Sequence, residues 1–178
     1  MIIGRELLSE LVTEAFSSEV VEINAAILSN NVNRLKIMGY KHEGYFAFMS
    51  SERAFFNTNR DLLKGNVRHD LFNKERPVYT KTRSDMPTRY GTKSSVENSF
   101  IADGCVIDGT VKNSVLFRGV KVAKGAVVEN SIIMQGTSIE ESATLDYVVA
   151  DKNAVIGSDM IIKGTENKLL HIEKNQTI

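Results

Sequence analysis

Two rules of hydrophobic spacing divide the chain. Near the start, Leu7, Leu8, Leu11, Val12, Ala15 and Phe16 recur at helical spacing, the apolar stripe of an amphipathic helix predicted over residues 4–17. Ile23, Ala26 and Ile27 predict a second short helix ending near Asn30 and Asn31, residue types that accept the left-handed geometry of a helix exit. From 34 to 49 aromatic and aliphatic residues dominate, broken by Lys41-His42-Glu43-Gly44, and two short strands meeting at a turn are expected. Ser50 or Ser51 then caps a third helix running to about residue 64, with Phe55, Phe56, Asn59, Leu62 and Leu63 on or near one face and Gly65 closing it. Residues 66–95 hold both prolines, Pro77 and Pro87, with many charges and few periodic apolar positions. They read as a linker with a short extended piece over 77–81.

From about Val96 the rule changes to a repeat of six. Leu116, Val122, Val128 and Met134 form one column, and Val120, Ala126 and Ile132 form its companion. After a slip of one residue the beat resumes at Ile139 and Leu145, accompanied by Ala143 and Val149, while Ile101, Cys105, Ile107 and Val111 show it upstream. Such a repeat predicts a parallel β-helix of hexapeptides, in which three short strands make a triangular coil of about 18 residues. Glycines 104, 109, 119, 125 and 136 and Asn130 would turn the corners. The repeat is long enough for about three to four coils, wound left-handed as hexapeptide coils usually are. An antiparallel sandwich or barrel is the alternative for alternating apolar residues and regular glycines, but the column of six holds over several coils.

Composition narrows the partners. With 22 Lys+Arg against 22 Asp+Glu, there is no overall charge to draw nucleic acid or an anionic membrane. No apolar run approaches the roughly 20 residues that span a bilayer, no signal segment opens the chain, and a cytoplasmic location is expected. The single cysteine, Cys105, falls in the small inward column and reads as a buried core residue. Gly-rich phosphate loops and paired metal-ligand spacings are absent, and His42, His69 and His171 lie far apart and read as surface side chains.

Specific strings carry a resemblance. NSFIADGCVIDGTVKNSVLFRGVKV (98–122), NSIIMQ (130–135) and LDYVVADKNAVIG (145–157) resemble the C-terminal β-helix of the glucose-1-phosphate adenylyltransferases, or ADP-glucose pyrophosphorylases. RPVYTKTRSDMPTRYG (76–91) resembles their interdomain strand, with Pro87-Thr88-Arg89 at the family's Pro-Ala-Lys step, and GYFAFMSSERAFFNTNRDLL (44–63) resembles the exit from their nucleotidyltransferase domain. The resemblance implies a left-handed parallel β-helix domain over 96–178, an interdomain linker over 66–95, and a small α+β remnant of a nucleotidyltransferase domain over 1–65. The chain thus looks like a C-terminal piece of such a protein.

Departures from the family pattern sharpen the expectation. Catalytic members carry Gly-Tyr-Trp-x-Asp-Val-Gly-Thr, whose aspartate helps hold magnesium; the matching residues here are Gly44-Tyr45-Phe46-Ala47-Phe48-Met49-Ser50-Ser51. Phe48 stands at the carboxylate position, and a phenyl ring offers no oxygen to a hard cation. The pattern therefore resembles the non-catalytic, regulatory-type subunit of bacterial glycogen biosynthesis, with no catalytic residue and no metal in this chain. Mg²⁺ is expected only in a catalytic adenylyltransferase subunit, the implied partner in a homo- or hetero-oligomer joined through the β-helix.

Family effectors are phosphorylated metabolites or phosphate, and Arg89, Arg118 and Lys121 could form such an anion site. In a coil that is arginine-rich in activator-responsive members, Asp146 and Tyr147 occupy positions where basic residues would be wanted, which argues against a sugar-bisphosphate activator. Two other functions stay open: a fragment of a catalytic sugar-phosphate nucleotidyltransferase, against which Phe48 argues, and a hexapeptide acyltransferase. The latter would place a catalytic histidine on a coil, yet none occurs between Val96 and Leu170.

Overall fold

The computed structural model describes residues 2–17 and 28–178, in two compact units, Met1–Glu43 and Gly44–Ile178. In the first unit α1 spans Arg5–Ser17 and buries Leu11, as the apolar stripe predicts. The helix expected around Ile23–Ile27 lies outside the described residues; at its expected end stands one 3-10 turn, Ser29–Asn31. Just beyond it, Arg34 grips the Glu14 carboxylate of α1 with both terminal guanidinium nitrogens, at 3.1 and 2.8 Å.

The two strands expected between 34 and 49 do not form; the described backbone there joins no ladder. A lone pair of short strands is at best marginal in water, and Met38, Tyr40, Phe46 and Phe48 remain exposed, so no third element closes a face over them.

In the second unit α2 spans Glu52–Asp61 and α3 spans Gly65–Leu71. Ser51 caps α2, its hydroxyl accepting from the Ala54 N–H at 3.1 Å, which ties off one of the unpaired donors of the first turn. Gly65 opens α3 where the spacing had it closing α2, and α3 occupies part of the stretch read as a linker. Its signals were short: Val67 is the one buried side chain, and Arg68 and His69 favour the carbonyl end of the last turn.

Fifteen short strands follow in three parallel sheets. The first sheet stacks β1 (Arg89–Tyr90), β4 (Val106–Ile107), β7 (Lys121–Val122), β10 (Ser138–Ile139) and β13 (Val155–Ile156). The second stacks β2 (Ser95–Glu97), β5 (Thr110–Lys112), β8 (Val127–Glu129), β11 (Thr144–Asp146) and β14 (Ile161–Lys163). The third stacks β3 (Phe100–Ile101), β6 (Val115–Leu116), β9 (Ile132–Ile133), β12 (Val148–Ala150) and β15 (Leu170–Ile172). Successive strands visit the three sheets in turn, so the chain is a parallel β-helix with five rungs per face. The four coil-to-coil steps on each face agree with the three to four coils expected, and the first rung lies at Arg89, inside the stretch expected as a linker.

The middle coils are shorter than 18 residues. Thr110 pairs with Val127 and Val127 with Thr144, a step of 17. In these coils one corner holds a residue fewer, which moves the inward column from Val128 to Ile133 and from Leu145 to Ala150. The first coil is shorter still, with Ser95 pairing Thr110 and Phe100 pairing Val115, a step of 15, whereas Val148 pairs Leu170, a step of 22. Ile133 is fully buried in the central cluster, whereas Met134 is only half-buried. Ile132 and Val149, expected inside, point the other way into a second cluster built around Phe56.

At that corner the sequence repeats an Asn-Ser pair. Asn98, Asn113 and Asn130 adopt positive φ (41°, 48° and 45°), a conformation asparagine reaches more readily than most residues. Each following serine is a rung of a polar ladder: the Ser131 N–H donates to Ser114 Oγ at 3.0 Å, and the Val148 N–H donates to Ser131 Oγ at 3.1 Å. Ser114 and Ser131 also donate to the carbonyls of Lys112 and Glu129, so these fully buried hydroxyls are satisfied. Glycine is required at one corner for a different reason: a Cβ on Gly109 would collide with the carbonyl oxygens of Ala126 and Ala123 in the next coil.

Candidate functional site

The third sheet is the one face of the β-helix that α2 and α3 cover. Its outward row pairs Phe100, Val115, Ile132, Val149 and His171 from the first rung to the last. Phe72 stacks on Phe100 with ring centroids 6.4 Å apart, and the Arg68 guanidinium lies 6.0 Å from the same ring. Phe56 packs on Val115, Ile132 and Val149 and is 1% exposed, with Phe55, Leu63 and Tyr147 around it. At the last rung His171 Nδ1 lies 3.2 Å from Glu52 Oε1, and Arg53 Nη2 donates to the Asn167 carbonyl at 2.6 Å. Burying a phenylalanine contributes about 1.5–3 kcal/mol, so Phe56 is the main anchor of this layer.

The corner ladder changes where the helix docks. Tyr147 takes the asparagine position of its coil at a φ of 52°, a backbone region in which an aromatic residue is strained. Its ring sits 6.3 Å from that of Phe56.

Tyr45 ties the preceding segment to the same layer. Its N–H donates to Asp70 Oδ2 at 2.6 Å and its hydroxyl to Asp61 Oδ2 at 3.1 Å. Burial, and then the Asp61 hydrogen bond, push the phenol above its ordinary pKa. Phe48, three residues on, is 72% exposed. Among the described residues no group of three or more His, Cys, Asp or Glu side chains stands close enough to hold a metal ion. The phenyl ring of Phe48 offers no oxygen ligand to a hard cation.

The three expected anion-binding residues are divided. Arg89 and Lys121 share an outward row of the first sheet, two rungs apart through Val106. Arg118 sits at the corner before Gly119, and its Nε lies 3.7 Å from Asp85 Oδ2, a carboxylate it shares with Arg83 at 3.6 Å. Arg89 Nη2 contacts Asp108 Oδ2 at 3.2 Å. Two of the three cations therefore already face carboxylates, and a phosphoryl anion would compete with Asp108 and Asp85 for them.

The remaining candidates are structural. Cys105 is fully buried, its thiol directed at the Phe117 carbonyl at 3.2 Å. Burial pushes its pKa up from 9.0, which disfavours the nucleophilic thiolate. His69 lies on α3 and His171 on β15, and His42 belongs to the other compact unit. No helix among the described residues is long and apolar enough to cross a membrane.

Comparison with known proteins agrees with the repeat. Residues 84–169 match the family described as GlmU-like, C-terminal hexapeptide. Over 140 residues, 79% of this chain, the sequence is 34% identical to the glycogen biosynthesis protein GlgD of Bacillus subtilis (strain 168) and covers 41% of that protein. Over the same length it is 33% identical to glucose-1-phosphate adenylyltransferases of Bacillus thuringiensis (strain Al Hakam) and Bacillus anthracis, covering 35% of each. The chain thus spans roughly two fifths or less of the length of these relatives. By its hexapeptide coils and by this similarity over most of its length, the chain belongs to the glucose-1-phosphate adenylyltransferase family, which includes GlgD.

Proposed function

We propose that this chain is an assembly part of a non-catalytic, regulatory-type subunit of glucose-1-phosphate adenylyltransferase in glycogen biosynthesis, and that it acts by joining a catalytic subunit. One observation carries the reading: Phe48, exposed at the place where the family pattern puts a metal-binding aspartate. Transfer of a nucleotidyl group without charge neutralisation by a metal forgoes a main source of transition-state stabilisation. The β-helix suits assembly, because its flat faces are rigid.

A second reading is a part of a catalytic sugar-phosphate nucleotidyltransferase. It is favoured by the 33% identity to proteins named glucose-1-phosphate adenylyltransferase, hardly below the 34% to GlgD. One assay can overturn the first reading. Incubated with ATP, glucose 1-phosphate and Mg²⁺, the chain is expected to release no pyrophosphate above the blank. Turnover abolished by removing Mg²⁺ would overturn the first reading in favour of the second.

A further inference from the structure

The third sheet is covered by α2 and α3, but the second presents two outward rows to solvent. One row is Ser95, Thr110, Val127, Thr144 and Ile161; the other is Glu97, Lys112, Glu129, Asp146 and Lys163. In the row between them Val111, Val128 and Leu145 are fully buried, so period-2 alternation turns both flanking rows outward. Ile161 is 70% exposed, an unusual loss of apolar surface for a β-branched residue on a regular strand. Among the described residues none of the five charged side chains forms an ion pair, although they stand on adjacent rungs.

The order of these charges is self-complementary. Read from first rung to last it runs negative, positive, negative, negative, positive. We infer that the second sheet is a docking face for a second copy of this chain, related by a two-fold axis that lies in the interface, parallel to the strands and over β8. That operation keeps each row opposite itself and reverses the rungs. Glu97 meets Lys163 of the second copy, Lys112 meets Asp146, Thr110 meets Thr144, and Val127 meets its equivalent. A two-fold axis along the coil stack would instead set the uncharged row against the charged one, burying charges unpaired, which is disfavoured. The chosen arrangement gives four opposite-charge contacts and one like-charge contact, Glu129 against Glu129.

The face is about 20 Å tall and about 10 Å wide from strand spacing and rise, below the area of a stable standard interface. It therefore supports a weak dimer by itself and adds to any larger assembly. The inference extends the assembly reading above from a catalytic partner to a second copy of this chain.

Sedimentation equilibrium of the full chain, up to several hundred micromolar and at low salt, tests it. Dimers are expected that weaken as salt rises. Glu97→Lys or Lys163→Glu alone weakens dimerisation roughly tenfold, since each turns two attractive contacts repulsive, and the double variant restores it. Within one chain these residues are four rungs, about 19 Å, apart, so no internal contact mimics the rescue. Glu129→Gln tightens the dimer. A monomer at every concentration overturns the inference, and so does a dimer indifferent to Glu97→Lys and Lys163→Glu. That second result leaves the assembly reading intact with another face, whereas failure to bind a catalytic subunit removes the assembly reading itself.

Discussion

Replacing Ile133 by alanine lowers the unfolding free energy by about 3 kcal/mol, whereas Met134→Ala costs under about 1 kcal/mol. Ile133 is fully buried in the column that fills the β-helix, so truncation leaves a cavity between rigid rungs that cannot collapse onto it. Met134 is half-buried on the neighbouring position and loses only partial contact with its surroundings. A strict repeat of six counted on from Val128 reaches Met134, which would reverse the two values. Urea unfolding of the two variants decides between the alternatives: equal costs, or a larger cost at Met134, would show that the short corner is misplaced.

A comparable loss, about 3 kcal/mol for the helical layer, is expected for Phe56→Ala, but with a different distribution. Phe56 lies outside the prism, against Val115, Ile132 and Val149, while the inner column is filled without it. Local opening should follow. Amide exchange is predicted to accelerate throughout α2 and at the Ser51 cap, with the protection of β8 and β11 unchanged. Uniform loss of protection over both helices and the coils would instead mean that the layer and the prism unfold as one unit.

The parallel β-helix was legible because a repeat constrains many positions at once. Every coil spends its residues on the same inward, outward and corner tasks, so Val122, Val128, Ile139 and Leu145 could be placed by counting, and all are buried. Counting failed where the corner shortened. The signal was nevertheless present: Asn-Ser recurs at 98–99, 113–114 and 130–131, and a polar pair tolerant of positive φ marks the turn better than the apolar beat does. The apolar residues at Ile132 and Val149 misled for a physical reason. A strand buried on both faces no longer alternates, and here the outer face is buried by a helix that lies far away in sequence. Tyr147 in the asparagine position was a second clue to that docking.

The early segments were less legible. Helix α1 and the cap at Ser51 follow local rules that any sequence must obey, whereas strands between 34 and 49 depend on partners that local spacing cannot supply. The short helix α3 hid behind Gly65, a residue that serves either end of a helix. Among the site residues, Phe48 needed a family pattern to acquire meaning, since an exposed phenylalanine alone points to nothing. Arg89 and Arg118 show the limit of reading charge from sequence: Asp108 and Asp85 approach them only after the coils stack.

The proposed role, assembly without chemistry of its own, is put to the test by sedimentation velocity of the chain mixed with a catalytic glucose-1-phosphate adenylyltransferase subunit. A faster boundary containing both proteins at a fixed ratio is the predicted result. Two independent boundaries at every ratio and at concentrations up to several hundred micromolar would contradict it.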